Sequence, residues 1–320
     1  MATLRRQKSS TALSIGLVEV GSSAVRFAVA VSFSDGTLLI QNKGNYPHAV
    51  NPGKLDLVEL SALWRAVYGF QKALTEFNCD RKLIYGTDIC RQLAILDKQY
   101  IPGYIHVLSP EDEAMASWAA GVFSDHAGAR VGNYTIVDQG AGSTEITTAN
   151  WTGLAISNRV FNGLGSGHRQ FSSLFETSSF SYVREINNFV ESNHENFLSH
   201  RHTANGKLCV LGSAATKIAW IKIRKSIDDA YKASLVDSVD ITAKEIFDIH
   251  ARVTAIFKRD PKQARYYIDP RLNTPDETAR VLSGSVFFIM VCKKLGFSSL
   301  RVSGYGTRHG IAFLIHKGLF

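Results

Sequence analysis

The sequence has no apolar run long enough to cross a bilayer. Its longest candidates, such as Val281–Val291, are interrupted by Ser and Gly, whereas a spanning helix needs about 18 or more apolar residues in succession. These stretches read as buried core helices. A secretory signal is also missing: Met1–Thr11 carries Arg5, Arg6 and Lys8 but no apolar stretch ending at a small-residue cleavage site. The segment reads as a basic tail, with a short Arg- and Ser-bearing transit peptide as the alternative. Cysteine is scarce. The four cysteines, Cys79, Cys90, Cys209 and Cys292, form no CxxC pair and lie in apolar surroundings. That excludes a disulfide framework and points to thiols in a reducing compartment, so the expected location is cytoplasmic. The composition of a disordered chain is absent too, since 45% hydrophobic against 20% charged residues is the balance of a folded globule. Finally, no nucleic-acid-binding motif or aromatic platform accompanies the net charge of +8, the difference between 36 basic and 28 acidic residues.

What is present is a repeat. With 320 residues the chain is long enough for two domains. Ser14–Val31 reads as strand, tight turn and strand, Ser34-Asp35-Gly36 as a hairpin turn, and Thr37–Asn42 as a third strand. A helix over Leu55–Phe77, a strand over Lys82–Gly86, a helix over Asp88–Leu96 and a strand over Ile105–Leu108 follow. Ser109-Pro110-Glu111-Asp112 is an N-cap, a proline at the first helical position and an acidic first turn, opening a helix to about Phe123. At Tyr134 the pattern restarts. Strands are expected over Tyr134–Asp138, Thr144–Asn150 and Leu154–Val160, with turns at Gln139–Ser143 and Trp151–Gly153. Helices are expected over Ser181–Ser192, Ala215–Ser226, Ala243–Phe257 and Thr278–Leu295, with short strands at Leu208–Leu211 and Ser299–Ser303. Repetition of a whole supersecondary unit predicts two similar α/β lobes, residues 1–130 and 131–320.

Each repeat carries an acid just before a turn of small residues: Glu19-Val20-Gly21-Ser22-Ser23 and Asp138-Gln139-Gly140-Ala141-Gly142-Ser143. Such a turn exposes successive backbone N–H groups that cradle phosphate oxygens, and small side chains let the backbone come close. An acid at the end of the first strand can hold a divalent cation, usually Mg²⁺, through waters.

On these residues the chain resembles the exopolyphosphatase/guanosine pentaphosphatase (Ppx/GppA) family, within the acetate and sugar kinase/heat-shock chaperone/actin superfamily. Asp138–Glu145 is similar to that family's Asp-Ile-Gly-Gly-Gly-Ser-Thr-Glu. Thr87 and Arg91 match its Ala-Thr-Ser-Ala-x-x-Arg segment, and Ser109-Pro110-Glu111-Asp112-Glu113-Ala114 stands where it has Ser-Gly-x-Glu-Glu-Ala. Leu211–Thr216 falls at the third Gly-rich turn, and Ser303–Gly310 matches the closing Ser-x-x-Gly-x-Arg-x-Gly. The resemblance covers about residues 13–316, keeps the motif order and is to the short, two-domain form. It implies two actin-like (ribonuclease H-like) lobes with an interlobe cleft, and hydrolysis of a terminal phosphoanhydride.

In that reading Gly21, Ser22 and Ser23, with Gly140, Ala141, Gly142, Ser143 and Thr144, bind phosphate. Glu19, Asp138 and Glu145 hold Mg²⁺. Asp112, or Glu111 in a shifted register, activates the water, and Arg91 completes the site. The implied partners are polyphosphate or a phosphorylated guanosine nucleotide, with no membrane and no specific nucleic acid; a homodimer is left open. The chain departs from the family pattern at Glu19, where the family has Asp, and at Asp112, where it has Glu. A shift of about 1 Å in a catalytic carboxylate can cost on the order of 100-fold in rate. The departures point to a second reading, a weakened nucleotide- or polyphosphate-binding regulatory protein.

Plainer roles stand beside each of these. Asp138 can cap its turn, Asp112 and Glu111 can complement a helix dipole, and Arg91 can pair with a surface acid. Thr87 and Ser143 can satisfy turn backbone groups. His194, His200 and His202 fit no metal-ligand spacing and read as a solvated loop. Gly163–His168 lacks the context of a dinucleotide fingerprint, although Arg169 beside it can line the site. The clusters around Lys217, Lys258 and Lys293 read as solvated faces that can also steer a polyanion.

Overall fold

The computed structural model describes residues 13–32, 38–123, 131–153, 155–164, 166–167, 170–172, 181–200, 206–229, 231–270 and 276–320. The Ser34-Asp35-Gly36 turn, His168, Arg169 and His202 lie outside these residues. Contacts divide the chain into one unit of Met1–Glu113 with Ile311–Phe320 and another of Ala114–Gly310. The boundary read from the repeat lay at 130/131. It moves because the helix before that point packs with the second sheet: Trp118 Nε1 donates to the Tyr134 carbonyl at 3.2 Å.

In the first unit β1 (Leu13–Val20) runs antiparallel to β2 (Ala24–Ser32), which pairs with β3 (Leu38–Pro47). Helix α1 (Leu57–Glu76) follows, capped by Asp56, whose side chain accepts from the Val58 and Glu59 N–H groups. Its buried Leu60, Leu63, Val67 and Leu74 recur at helical spacing and lie against Val18, Phe27 and Leu93 in one core. The chain then returns parallel to β1 as β4 (Arg81–Gly86), passes through α2 (Asp88–Leu96) and adds β5 (His106–Val107). The sheet order is β3-β2-β1-β4-β5. Helix α3 (Pro110–Phe123) closes this part of the chain.

The second unit repeats the plan. Strands β6 (Gly132–Gln139), β7 (Thr144–Trp151) and β8 (Ile156–Leu164) form an antiparallel meander. Helices α4 (Ser181–Ser192) and α5 (His194–Leu198) precede β9 (Lys207–Leu211), which lies parallel to β6. Then come α6 (Ser213–Ile223), α7 (Ala233–Val236), β10 (Val239–Thr242), α8 (Ala243–Arg259), α9 (Pro261–Ile268), α10 (Asp276–Leu295), β11 (Ser299–Val302) and α11 (Thr307–His316). The order β10-β11-β9-β6-β7-β8 contains the first sheet's order with one added edge strand. This core gathers Val137, Ile146, Trp220, Phe287 and Phe288.

Two surface readings are corrected. His200 is buried, bonded through Nδ1 to Thr148 Oγ1 (2.9 Å) and through Nε2 to the Asn162 amide (3.0 Å), because β7 and β8 present polar side chains to the end of α5. Lys217 belongs to no solvated face. It is 8% exposed, ion-paired to Asp269 at 2.9 Å and placed over the Tyr231 ring.

Candidate functional site: two phosphate-turn hairpins

The two acid-bearing turns are built alike. In the first unit the pair Val20↔Val25 encloses residues 21–24, and the Gly21 N–H donates to the Ala24 carbonyl at 3.0 Å. In the second, Gln139↔Thr144 encloses residues 140–143. Gly21, Ser22 and Ser23 thus correspond to Gly140, Ala141 and Gly142, and Glu19 corresponds to Asp138. Ser22, Ser23, Ala141, Gly142 and Ser143 are partly exposed. Ala141 is not among the residues with positive φ, so its methyl is tolerated where the family pattern has glycine.

What flanks the turns differs. The first is clamped by the residue that follows β3: His48 donates from its backbone N to the Ser23 carbonyl (3.1 Å) and from Nε2 to the Gly21 carbonyl (2.9 Å). These bonds hold two carbonyls of the turn in place. Thr87, just after β4, donates its N–H to the Val20 carbonyl at 3.1 Å. The second turn is held by the segment after β8. The Thr144 hydroxyl donates to the Ser166 carbonyl at 2.7 Å, so Thr144 is an anchor buried within the fold. Gly167 lies against the turn itself, where a Cβ would stand 2.6 Å from the Ala141 carbonyl. The Gly-rich turn before α6 also reaches this place: Gly212, at φ +110°, would put a Cβ 2.4 Å from the Gln139 carbonyl oxygen. The Gln139 side chain is buried here, and neither end of its amide has a hydrogen-bond partner among the described residues.

The cross-strand partners of the two acids are opposite in charge. Glu19 faces Arg26, and Arg26 Nη1 lies 3.3 Å from Glu19 Oε1. Asp138 faces Glu145, which is 4% exposed. Side chains of directly opposed residues share one face of the sheet, about 5 Å apart at Cβ. Two hard carboxylate oxygens on one face suit Mg²⁺, which keeps several waters and takes one or two carboxylates together with substrate phosphates. Among the described residues no group of three or more His, Cys, Asp or Glu forms a ready-made metal cage. The donor set therefore fits a water-retaining cation at Asp138 and Glu145, while Glu19 is shared with a guanidinium.

Asp112 and Glu111 are both exposed, in the first turn of α3. Asp112 is tied to the helix cap: its N–H donates to Ser109 Oγ (3.1 Å), and that hydroxyl donates to Asp112 Oδ2 (2.9 Å). Arg91 is engaged as well. Nη1 binds Glu113 Oε2 at 2.7 Å and the Leu108 carbonyl at 3.1 Å, and Nη2 lies 3.8 Å from Asp88. In the closing motif the Gly306 N–H donates to His309 Nδ1 at 3.1 Å, and burial together with the neighbouring Arg308 pushes the His309 pKa down to about 3.

The sequence gives no role to Arg26, His48 or Ser117, and it marks Ser166, Gly167 and Thr307 only as members of the Gly-rich run and the closing motif. Ser117 Oγ lies 2.6 Å from Asp138 Oδ2 and 3.2 Å from Thr307 Oγ1. Arg26 alone had a local signal, since alternation along β2 sets it opposite Glu19 once the four-residue turn is recognised.

No family model and no curated relative matches the sequence. Solved structures do match. A Ppx/GppA family member from Aquifex aeolicus aligns over 95% of this chain and 97% of its own, with a TM-score of 0.74 and 19% identity. An exopolyphosphatase from Cytophaga hutchinsonii aligns over 96% and 99%, with a TM-score of 0.70 and 13% identity. An exopolyphosphatase-like protein gives the same coverage and TM-score at 15% identity. The chain thus has the two-lobe actin-like fold of Ppx/GppA proteins.

Proposed function

We propose that this protein is a phosphohydrolase acting on a phosphoanhydride, inorganic polyphosphate or guanosine pentaphosphate, in the cytoplasm and with Mg²⁺. The observation that carries the reading is the acid pair Asp138↔Glu145 beside a four-residue turn of small, partly exposed residues. Bound Mg²⁺ would neutralise charge on the phosphoryl oxygens. The protein's own part is positioning and charge stabilisation, since phosphoryl transfer asks little covalent work of it. In the second unit the N–H groups of Gly140–Ser143 face phosphate oxygens, and in the first those of Ser22 and Ser23 do, the Gly21 N–H being taken by the Ala24 carbonyl. Asp112 accepts the proton of the attacking water, with Glu111 next to it as the alternative carboxylate. Arg91 holds the start of α3, and with it Asp112, through Glu113.

A second reading rests on a specific observation: Asp112 already serves the cap of α3, and Arg91 is bound to Glu113. A protein with both residues so engaged would bind polyphosphate or nucleotide with little turnover. Phosphate release from polyphosphate, from guanosine pentaphosphate, and from ATP with a sugar or carboxylate acceptor separates these readings and a phosphotransferase. Asp112→Ala is expected to cost about 10²–10⁴-fold, as for a general base, and Glu111→Ala little. Should the wild type turn over no faster than Asp112→Ala while still binding polyphosphate, the binding protein is the correct reading.

A further inference from the structure

Ser117 occupies an unusual place for a helical serine. Such a hydroxyl ordinarily turns back to the carbonyl four residues earlier. Here it is 1% exposed and points at Asp138, with Oγ 2.6 Å from Oδ2, the length of a charge-assisted O–H···O⁻ bond. Ser117 has a single proton, and the carboxylate takes it. The 3.2 Å contact with Thr307 Oγ1 is therefore donated by Thr307, itself 7% exposed. The result is a directed chain, Thr307 to Ser117 to Asp138, that joins the first residue of α11, the middle of α3 and the end of β6.

The backbone explains how the chain is held. At Gly310 a Cβ would stand 1.6 Å from the Ala116 carbonyl oxygen and 2.9 Å from the Ala120 nitrogen. Only glycine permits that approach. Thr307 lies one turn before Gly310, and Ser117 directly follows Ala116, so the contact fixes the distance between the two hydroxyls.

We propose that Ser117 and Thr307 are positioning residues that orient the Asp138 carboxylate and thereby raise the affinity of the Asp138–Glu145 pair for a divalent cation. The inference rests on the reading of Asp138 as a cation-holding acid. It assigns a role by contrast with the first hairpin, where Glu19 is oriented by Arg26, a partner that also cancels its charge. The Ser117 hydroxyl is a neutral donor that orients the carboxylate without adding a charge. Groups of this outer kind are typically worth about 10–100-fold in metal affinity.

The test is Mn²⁺ binding to the full chain without substrate, followed by electron paramagnetic resonance and calorimetry, with thermal unfolding as the check on folding. Asp138→Asn should abolish binding. Ser117→Ala should weaken it about 10-fold, Ser117→Thr should keep it, and Thr307→Val should weaken it less than Ser117→Ala. The double variant Ser117→Ala/Thr307→Val should bind as Ser117→Ala does, because Thr307 acts only through Ser117. Wild-type affinity in Ser117→Ala, with binding lost in Asp138→Asn, overturns the relay and leaves the functional reading standing. Unchanged binding in Asp138→Asn overturns that reading instead. If Ser117→Ala does not fold, Thr307→Val decides, and wild-type affinity there counts against the proposal.

Discussion

The hairpins β1–β2 and β6–β7 share a backbone and differ in charge. Each closes on a four-residue turn, and each places an acid one residue before it. Across the strands, one acid meets arginine and the other meets glutamate. The shared part is a turn of small residues whose N–H groups, on the proposed reading, would meet phosphate whatever the side chains. On the same reading, the differing part would decide whether a cation is held. Duplication of the fold would then separate two tasks, anion binding in both copies and cation binding in one.

The largest expected effect comes from removing the charge at the second hairpin. Asp138→Asn should lower phosphate release by on the order of 10²–10³-fold and abolish its Mg²⁺ dependence, while the thermal midpoint stays close to wild type. The equivalent Glu19→Gln change should lose far less activity; equal losses would show that both acids hold the cation.

Rebuilding the first hairpin in the image of the second sharpens the point. Arg26→Glu would set two carboxylates opposite each other, with Glu19 at 6% exposure and deprived of its guanidinium. Removing one partner of a fully buried pair costs about 3–5 kcal/mol. Arg26 is 35% exposed at its side chain, so about half of that is expected in chemical denaturation. Millimolar Mg²⁺ should recover part of the loss in the variant and none in the wild type.

Acid should weaken the second unit. Burial lowers the pKa of His200 to about 4 and of His309 to about 3. In the unfolded chain both titrate near 6.5, so below that pH the unfolded state binds protons that the folded state refuses. Stability is therefore full above pH 6.5 and falls with pH down to about 4 and 3, at up to about 1.4 kcal/mol per pH unit for each histidine. Denaturant midpoints at pH 7 and pH 5 measure it, and His200→Gln should shrink the difference.

The smallest effect belongs to the clamp on the first turn. His48→Ala removes the bond to the Gly21 carbonyl, worth about 1 kcal/mol, or about fivefold in affinity. It should raise KM for the phosphoanhydride with kcat nearly constant. A fall in kcat alone would place His48 in the chemistry.

The repeat was readable because its period-2 strands and small-residue turns carry strong local signals: α2 and α4 run over the expected residues, and β6 and β7 lie within a residue or two of theirs at each end. Segments whose register depends on tertiary partners were not readable. Strand β10 is a four-residue edge with Ile241 its single fully buried residue, and it exists because it pairs with β11. Helix α9 starts with Asp260 as cap and Pro261 at its first turn, a legible signal hidden in a basic cluster. Helix α11 was concealed by its role as the closing motif. At the site, the acids and turns announced themselves in order. Ser117 and His48 could not, since their partners lie 21 and 27 residues away and are brought close by helix packing and sheet pairing.

The buried Gln139 amide, next to the second turn, has a consequence for engineering. An amide sealed from water without partners costs roughly 1–3 kcal/mol for each unsatisfied group. A leucine or methionine of similar volume would remove that penalty, making Gln139 a natural first position for raising the melting temperature. Its closeness to Gly212 and to the second turn means that any thermostabilised form must be tested for turnover before it is used.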